Sequence, residues 1–376
     1  MIKNSCLTIA GRPSLVFTLF LYTLLLVSSE TVLADESMFR ADLERTANYG
    51  TKGVKKLKGL KWKFKTGGKV RSSPAVSGNI LYFGSNDGYL YALDKSTGKV
   101  LWKFKTGQEI YSSPAISSGV VFVGSNDGNL YALDAVNGNK IWSFKSAGEI
   151  QSSPAVSNGT VYFGSLDSNV YAIDSKSGKE IWKFQAKRGI ISSPAVLEGV
   201  LFIGSLDNNL YAIDANSGNE VWRFKTEDIV VSTPAVSRGK VLFGVQDTHL
   251  YALDMKDGKL LWDSRTDGGI LDWVYSFPAV NEGAVFIGGV DSMYSFNKKT
   301  GKRIWKFKTV RAVSSPSIAG SVLYFGGNDK NLCALDVNTG QELWRFETKG
   351  EIETSPVVDR SVVYFGSNDG YVYALE

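Results

Sequence analysis

The stretch Leu90-Tyr91-Ala92-Leu93-Asp94-Lys95-Ser96-Thr97-Gly98-Lys99-Val100-Leu101-Trp102 decides the fold. It is a short apolar run, a polar turn closed by glycine, and a second run that ends on tryptophan. Closely similar stretches end at Trp142, Trp182, Trp222, Trp262, Trp305 and Trp344, and Trp62 stands alone ahead of the first. Prolines recur in step at 74, 114, 154, 194, 234, 278, 316 and 356, and aspartates at 87, 127, 167, 207, 247, 291, 329 and 369. The period of about 40 residues is that of a propeller blade and too long for the shorter solenoid repeats.

Each period reads as four short strands. Lys61–Lys65 alternates lysine with Trp62 and Phe64, as a half-buried strand does. Ser73-Pro74-Ala75-Val76 is small and apolar, which suits a crowded innermost strand. Ile80–Gly84 is continuously apolar, and Asn86-Asp87-Gly88 supplies residues that tolerate positive φ in a hairpin turn. No stretch carries a sustained helical period, so the fold class is all-β: an eight-bladed β-propeller of four-stranded antiparallel blades. The last copy lacks a Trp strand and the first is preceded by one. Lys61–Thr66 is therefore expected to pair with the strand around Tyr371–Leu375 and close the ring without an open edge.

Residues 1–34 differ from the rest. Lys3 and Arg12 precede an apolar run from Leu15 to Val27, and Val32-Leu33-Ala34 offers small residues before Asp35, the pattern of a cleaved export signal. Residues 35–60 then form a lead-in and 61–376 the propeller. Cys6 lies ahead of the apolar run, so no lipoprotein cysteine is expected, and the mature chain is expected to be periplasmic or extracellular with no transmembrane span. Cys333 is left as the one cysteine, without a disulfide. With 43% hydrophobic and 21% charged residues the chain is neither disordered nor fibrous. The net charge of +5 is modest and its lysines are spread over outer strands, where charge protects edges, so nucleic acid is not an expected partner. The single histidine rules out a histidine-rich metal site and most acid–base mechanisms.

The segment from Ala92 to Trp102 and its copies resembles the tryptophan-docking repeat of the pyrroloquinoline-quinone (PQQ)-type eight-bladed propellers, over about 61–376. The lead-in Met38-Phe39-Arg40-Ala41-Asp42 with Arg45-Thr46 is similar to that of secreted, non-catalytic members. The resemblance implies that Trp62, Trp102, Trp142, Trp182, Trp222, Trp262, Trp305 and Trp344 dock against neighbouring blades. It leaves two branches. Quinoprotein dehydrogenases hold PQQ and calcium on long insertions, many with a disulfide between adjacent cysteines. The units here leave no room for such insertions and Cys333 has no cysteine neighbour. The chain is more similar to the short BamB-like branch, which implies a monomeric binding or assembly scaffold with a protein or peptide partner in the envelope and no cofactor. A PQQ-dependent oxidoreductase and an extracellular ligand-sensing domain are the alternatives.

No catalytic constellation can be named from the sequence. Asp87 and its equivalents read as turn residues, because calcium wants six to eight oxygens converging on one point. His249 reads as a solvated surface residue, and Cys333, in a repeat tyrosine position, as a buried thiol. Function is sought where the repeat breaks. Copy six carries a longer loop, Gly268 to Tyr275, with Asp272 and Trp273, the one mature tryptophan outside the docking series. The position two before Ser-Pro also differs at almost every blade: Arg71, Tyr111, Gln151, Ile191, Val231, Tyr275, Val313 and Glu353. Arg71, Tyr111, Gln151, Asp272, Trp273, Tyr275 and Glu353 are the candidate partner-binding residues, around a channel mouth.

Overall fold

A computed structural model of the chain describes residues 37–267, 276–310, 312 and 314–376. All of them belong to one compact unit, Leu33–Glu376. They form eight four-stranded antiparallel blades, and no helix occurs among them. Blade 1 runs Ala75–Ser77, Ile80–Gly84, Tyr89–Asp94 and Val100–Lys105 from the axis outward. Blades 2 to 7 repeat the order. Blade 8 takes its inner strands from Val357–Asp359, Val362–Gly366 and Tyr371–Leu375, and its outer strand from Leu60–Lys65. Trp62 sits opposite Ala374 and Lys65 opposite Tyr371. The same chain that opens the ring thus closes it.

Each docking tryptophan donates its indole N–H across a blade boundary. Trp62 reaches Lys95 O at 3.0 Å, Trp102 reaches Ala135 O at 3.0 Å, and Trp142 reaches Ser175 O at 3.0 Å. Glycine is required beneath the ring: Gly98 lies at φ +72°, and a Cβ there would stand 2.8 Å from the Trp62 indole. Trp344 differs, because its N–H goes to Val54 O of the lead-in at 2.6 Å. There the lead-in takes the place that a turn of the next blade holds elsewhere.

Around the axis, the hydroxyl ahead of each repeat proline accepts a backbone N–H from the blade before it. Ser73 N–H donates to Ser113 Oγ at 3.0 Å, Ser113 to Ser153 at 2.9 Å, and Ser193 to Thr233 at 3.1 Å. Ser355 N–H donates to Ser73 Oγ at 2.9 Å, joining blade 8 to blade 1. Phe277 holds this position in blade 6 and has no hydroxyl to offer.

The lead-in enters the channel. Ser37 exchanges backbone hydrogen bonds with Ile116 of blade 2. The carbonyls of Leu43, Glu44, Thr46 and Ala47 then accept the N–H groups of Val196, Val236, Val280 and Ile318, in blades 4, 5, 6 and 7. Asn48–Tyr49 continues as a short parallel strand beside Ser317–Ala319. Inner strands would otherwise leave N–H groups unpaired at the axis, and one segment satisfies five blades in turn.

Candidate functional site

The open end of the channel is a bowl of about 290 Å³. Arg71, Tyr111, Gln151, Ile191 and Glu353 line its wall, so four of the seven candidate binding residues come together there. Asp272, Trp273 and Tyr275 lie outside the described residues, as does Val313. Arg71 Nε stands 3.1 Å from Glu353 Oε2, bridging blades 1 and 8. Its guanidinium also lies over the Tyr111 ring at 5.4 Å. Glu353 accepts a second contact from Asn368 Nδ2 at 2.5 Å, and Gln151 donates to Glu149 at 2.9 Å.

The floor is aromatic. Phe39 of the lead-in meets Phe277 edge-to-face at 6.0 Å, and both face the bowl. Beneath them Arg40 and Arg45 are fully buried. Arg40 donates to Phe277 O at 3.1 Å and Pro278 O at 2.6 Å. Arg45 donates to Pro194 O and Pro154 O, both at 2.9 Å. Burial pulls the two guanidinium pKa values down, to about 9 for Arg40 and about 10 for Arg45, so both stay cationic at neutral pH. Sequence reasoning missed this floor. A signal existed: Phe277 is the one pre-proline residue of the series that is neither serine nor threonine.

The remaining polar groups are structural. Asp87 accepts from Gly67 N–H, Tyr89 N–H and the Tyr91 hydroxyl, at 2.8, 3.0 and 2.8 Å. It therefore clamps the preceding blade's loop as well as its own turn. Among the described residues no group of histidine, cysteine and carboxylates converges as a metal site. His249 is half-buried rather than freely solvated, 2.8 Å from Asp263 and stacked on Tyr251. Cys333 is 1% exposed, and burial pushes its thiol up to about 12. Iodoacetamide at pH 8 should therefore modify it only after unfolding, and rapid labelling of the native protein, read by mass spectrometry, would contradict that burial.

PQQ is a flat quinone tricarboxylate, and calcium beside it wants several oxygen ligands. Among the described residues the bowl offers one carboxylate, Glu353, already engaged by Arg71 and Asn368, and one cation, Arg71. That set does not fit the cofactor.

The fold and the bowl define a class: an eight-bladed, PQQ-like propeller whose channel is stopped by its own N-terminal segment, leaving a shallow, uneven recess at one end. Within that class the chain belongs to the family described as outer membrane protein assembly factor BamB, whose model matches residues 58–183, 166–276 and 269–376. The solved structure of BamB from Moraxella catarrhalis is similar at 21% identity, with a TM-score of 0.73 over 84% of this chain and 99% of that one. A computationally designed protein, Ika8, matches at 20% identity and a TM-score of 0.71, over 85% of this chain and 97% of its own. Quinohemoprotein alcohol dehydrogenase from Comamonas testosteroni shares the fold at 15% identity and a TM-score of 0.79, over 90% and 80%. No curated protein sequence matches the chain.

Proposed function

We propose that the protein is an exported, non-catalytic scaffold that holds a protein or peptide partner in the cell envelope, as the family description implies for assembly factors. The bowl carries this reading. It is stopped beneath by Phe39 and Phe277 and walled by residues that differ from blade to blade, a surface for contact recognition. Its described side chains pair no nucleophile with a base. Arg71, Tyr111, Gln151 and Glu353 would meet the partner on the wall, with Asp272, Trp273 and Tyr275 contributed by the loop of copy six.

Binding energy concentrates in a few aromatic or arginine anchors, so Trp273→Ala and Arg71→Ala should each weaken partner capture by about 2 kcal/mol while the melting temperature holds. Trp142→Ala should act in reverse, costing about 3–5 kcal/mol of stability. Pull-downs from the native envelope and melting curves on the same variants check the pattern. If Trp273→Ala unfolds the protein as Trp142→Ala does, that loop serves packing and not capture. A quinone absorbance band on adding PQQ and calcium would favour the oxidoreductase instead.

A further inference from the structure

At the seam of the ring, opposite in blade direction from the bowl, seven of the fourteen residues from 52 to 65 are lysines and none is acidic. Lys55, Lys56, Lys58 and Lys61 line a cleft of about 410 Å³ with Arg360, facing one carboxylate, Glu376. Lys61 approaches that carboxylate at 3.7 Å. Lys63 and Lys65 lie over the Tyr371 ring at 4.9 and 4.5 Å. Lys52, Lys56, Lys58 and Arg360 are exposed and have no ion pair among the described residues. Blade 4 balances part of its outer-strand charge locally, with Arg223 paired to Glu220 at 2.8 Å.

The backbone breaks its own rule at the same place. The first hairpin of blades 1 to 5 and of blade 7 places a glycine in the left-handed region, for example Gly119 at φ +77° and Gly320 at +57°. Blade 8 places Ser361 at φ +66° where blades 2 to 5 have that glycine, while Arg360 at +44° matches Ser118, Asn158, Glu198 and Arg238, at +50° to +52°. Ser361 bears a conformational cost that the glycine avoids, and the hairpin presents Arg360 beside the lysines. Beside it Leu60 is 45% exposed, so the patch is cationic with an apolar side chain at its border.

We propose that this seam is a docking site for an anionic phospholipid surface. Lysine ammoniums and an arginine fork bind phosphate oxygens, and a cleft of this size accepts a headgroup. Exposed leucine among basic side chains suits the headgroup–acyl boundary, and a free polyanion would gain nothing from it. The site is independent of the bowl and of any partner held there.

The test is sedimentation of the intact protein with vesicles of equal parts phosphatidylglycerol and phosphatidylcholine, against pure phosphatidylcholine, near physiological ionic strength. Binding should require phosphatidylglycerol. Each basic side chain near the surface contributes about fivefold, so K55Q/K56Q/K58Q should lose about a hundredfold and Arg360→Gln about fivefold. K99Q/K103Q/K105Q removes the same charge from blade 1 and should lose less than about fivefold, and all variants should melt as the parent does. Equal loss in both triple variants would reduce the effect to net charge and overturn the site. No binding by the parent protein would overturn it too. If inorganic phosphate displaces the vesicles where chloride at matched ionic strength does not, the cleft takes a free phosphate and the membrane reading fails.

Discussion

A chain expressed without residues 35–66 should fail to form a stable propeller. The deletion removes the outer strand Leu60–Lys65, which pairs with Tyr371–Leu375 along its length. It removes Trp62, tilted against Tyr364 at 5.9 Å and hydrogen-bonded to Lys95 O. It also takes Val54 O away from the Trp344 indole, and the hydrogen bonds that the lead-in makes to inner strands around the axis. Trp62 is half-buried, so its loss costs up to the about 3–5 kcal/mol of a fully buried tryptophan, against about 5–15 kcal/mol for the whole stability of a typical domain. The exposed edge of Tyr371–Leu375 then becomes a template for pairing between chains. Insoluble protein, or a melting temperature far below that of the parent, is the expected result. Trp62→Ala in the intact chain isolates the docking contribution and should reproduce part of the loss. A deletion variant with parental solubility and melting temperature would show that the ring does not depend on this closure.

The blades were legible because their chemistry repeats: a Trp that needs a glycine beneath it, a Pro on the innermost strand, a hairpin aspartate. Each local rule points to the same unit, and repetition averages out ambiguity in any one copy. The bowl was legible in part, since Arg71, Tyr111, Gln151 and Glu353 stand out against a constant background. Its floor was not. The lead-in has no repeat to be measured against, and Arg40, Ala41, Arg45 and Ala47 all lie at positive φ, from +54° to +75°. Non-glycine residues take that conformation when tertiary contacts impose it, which propensity cannot foresee. The seam was read only as edge protection by lysine. Its turn differs from those of blades 2 to 5 at Ser361, which takes the left-handed conformation that a glycine holds there.

The two buried arginines should hold the stopper in place, and Arg45→Ala is expected to release it. Arg45 donates to Pro194 O and Pro154 O at 2.9 Å, to Ser153 O at 3.3 Å and to Phe39 O, tying blades 3 and 4 to the lead-in. Arg40 ties the lead-in to blade 6 through Phe277 O and Pro278 O. A buried acceptor left without its donor costs about 1–3 kcal/mol, so losing the Arg45 fork should cost about 3 kcal/mol or more. Arg45→Lys should recover little, because one ammonium cannot span carbonyls of two blades as a planar fork does. The prediction has a second readout besides stability. Chymotrypsin should cut at Phe39 and Tyr49 in the Arg45→Ala protein while the blades stay intact, because the carbonyl anchors go and the outer strand Leu60–Lys65 remains paired. The bowl would lose Phe39 from its floor in the same step, so partner capture should fall without any change in its wall. Unchanged melting together with an uncut N-terminal segment would mean that Arg40 and the backbone hydrogen bonds to the inner strands hold the stopper, and that the Arg45 guanidinium is a passenger at the axis.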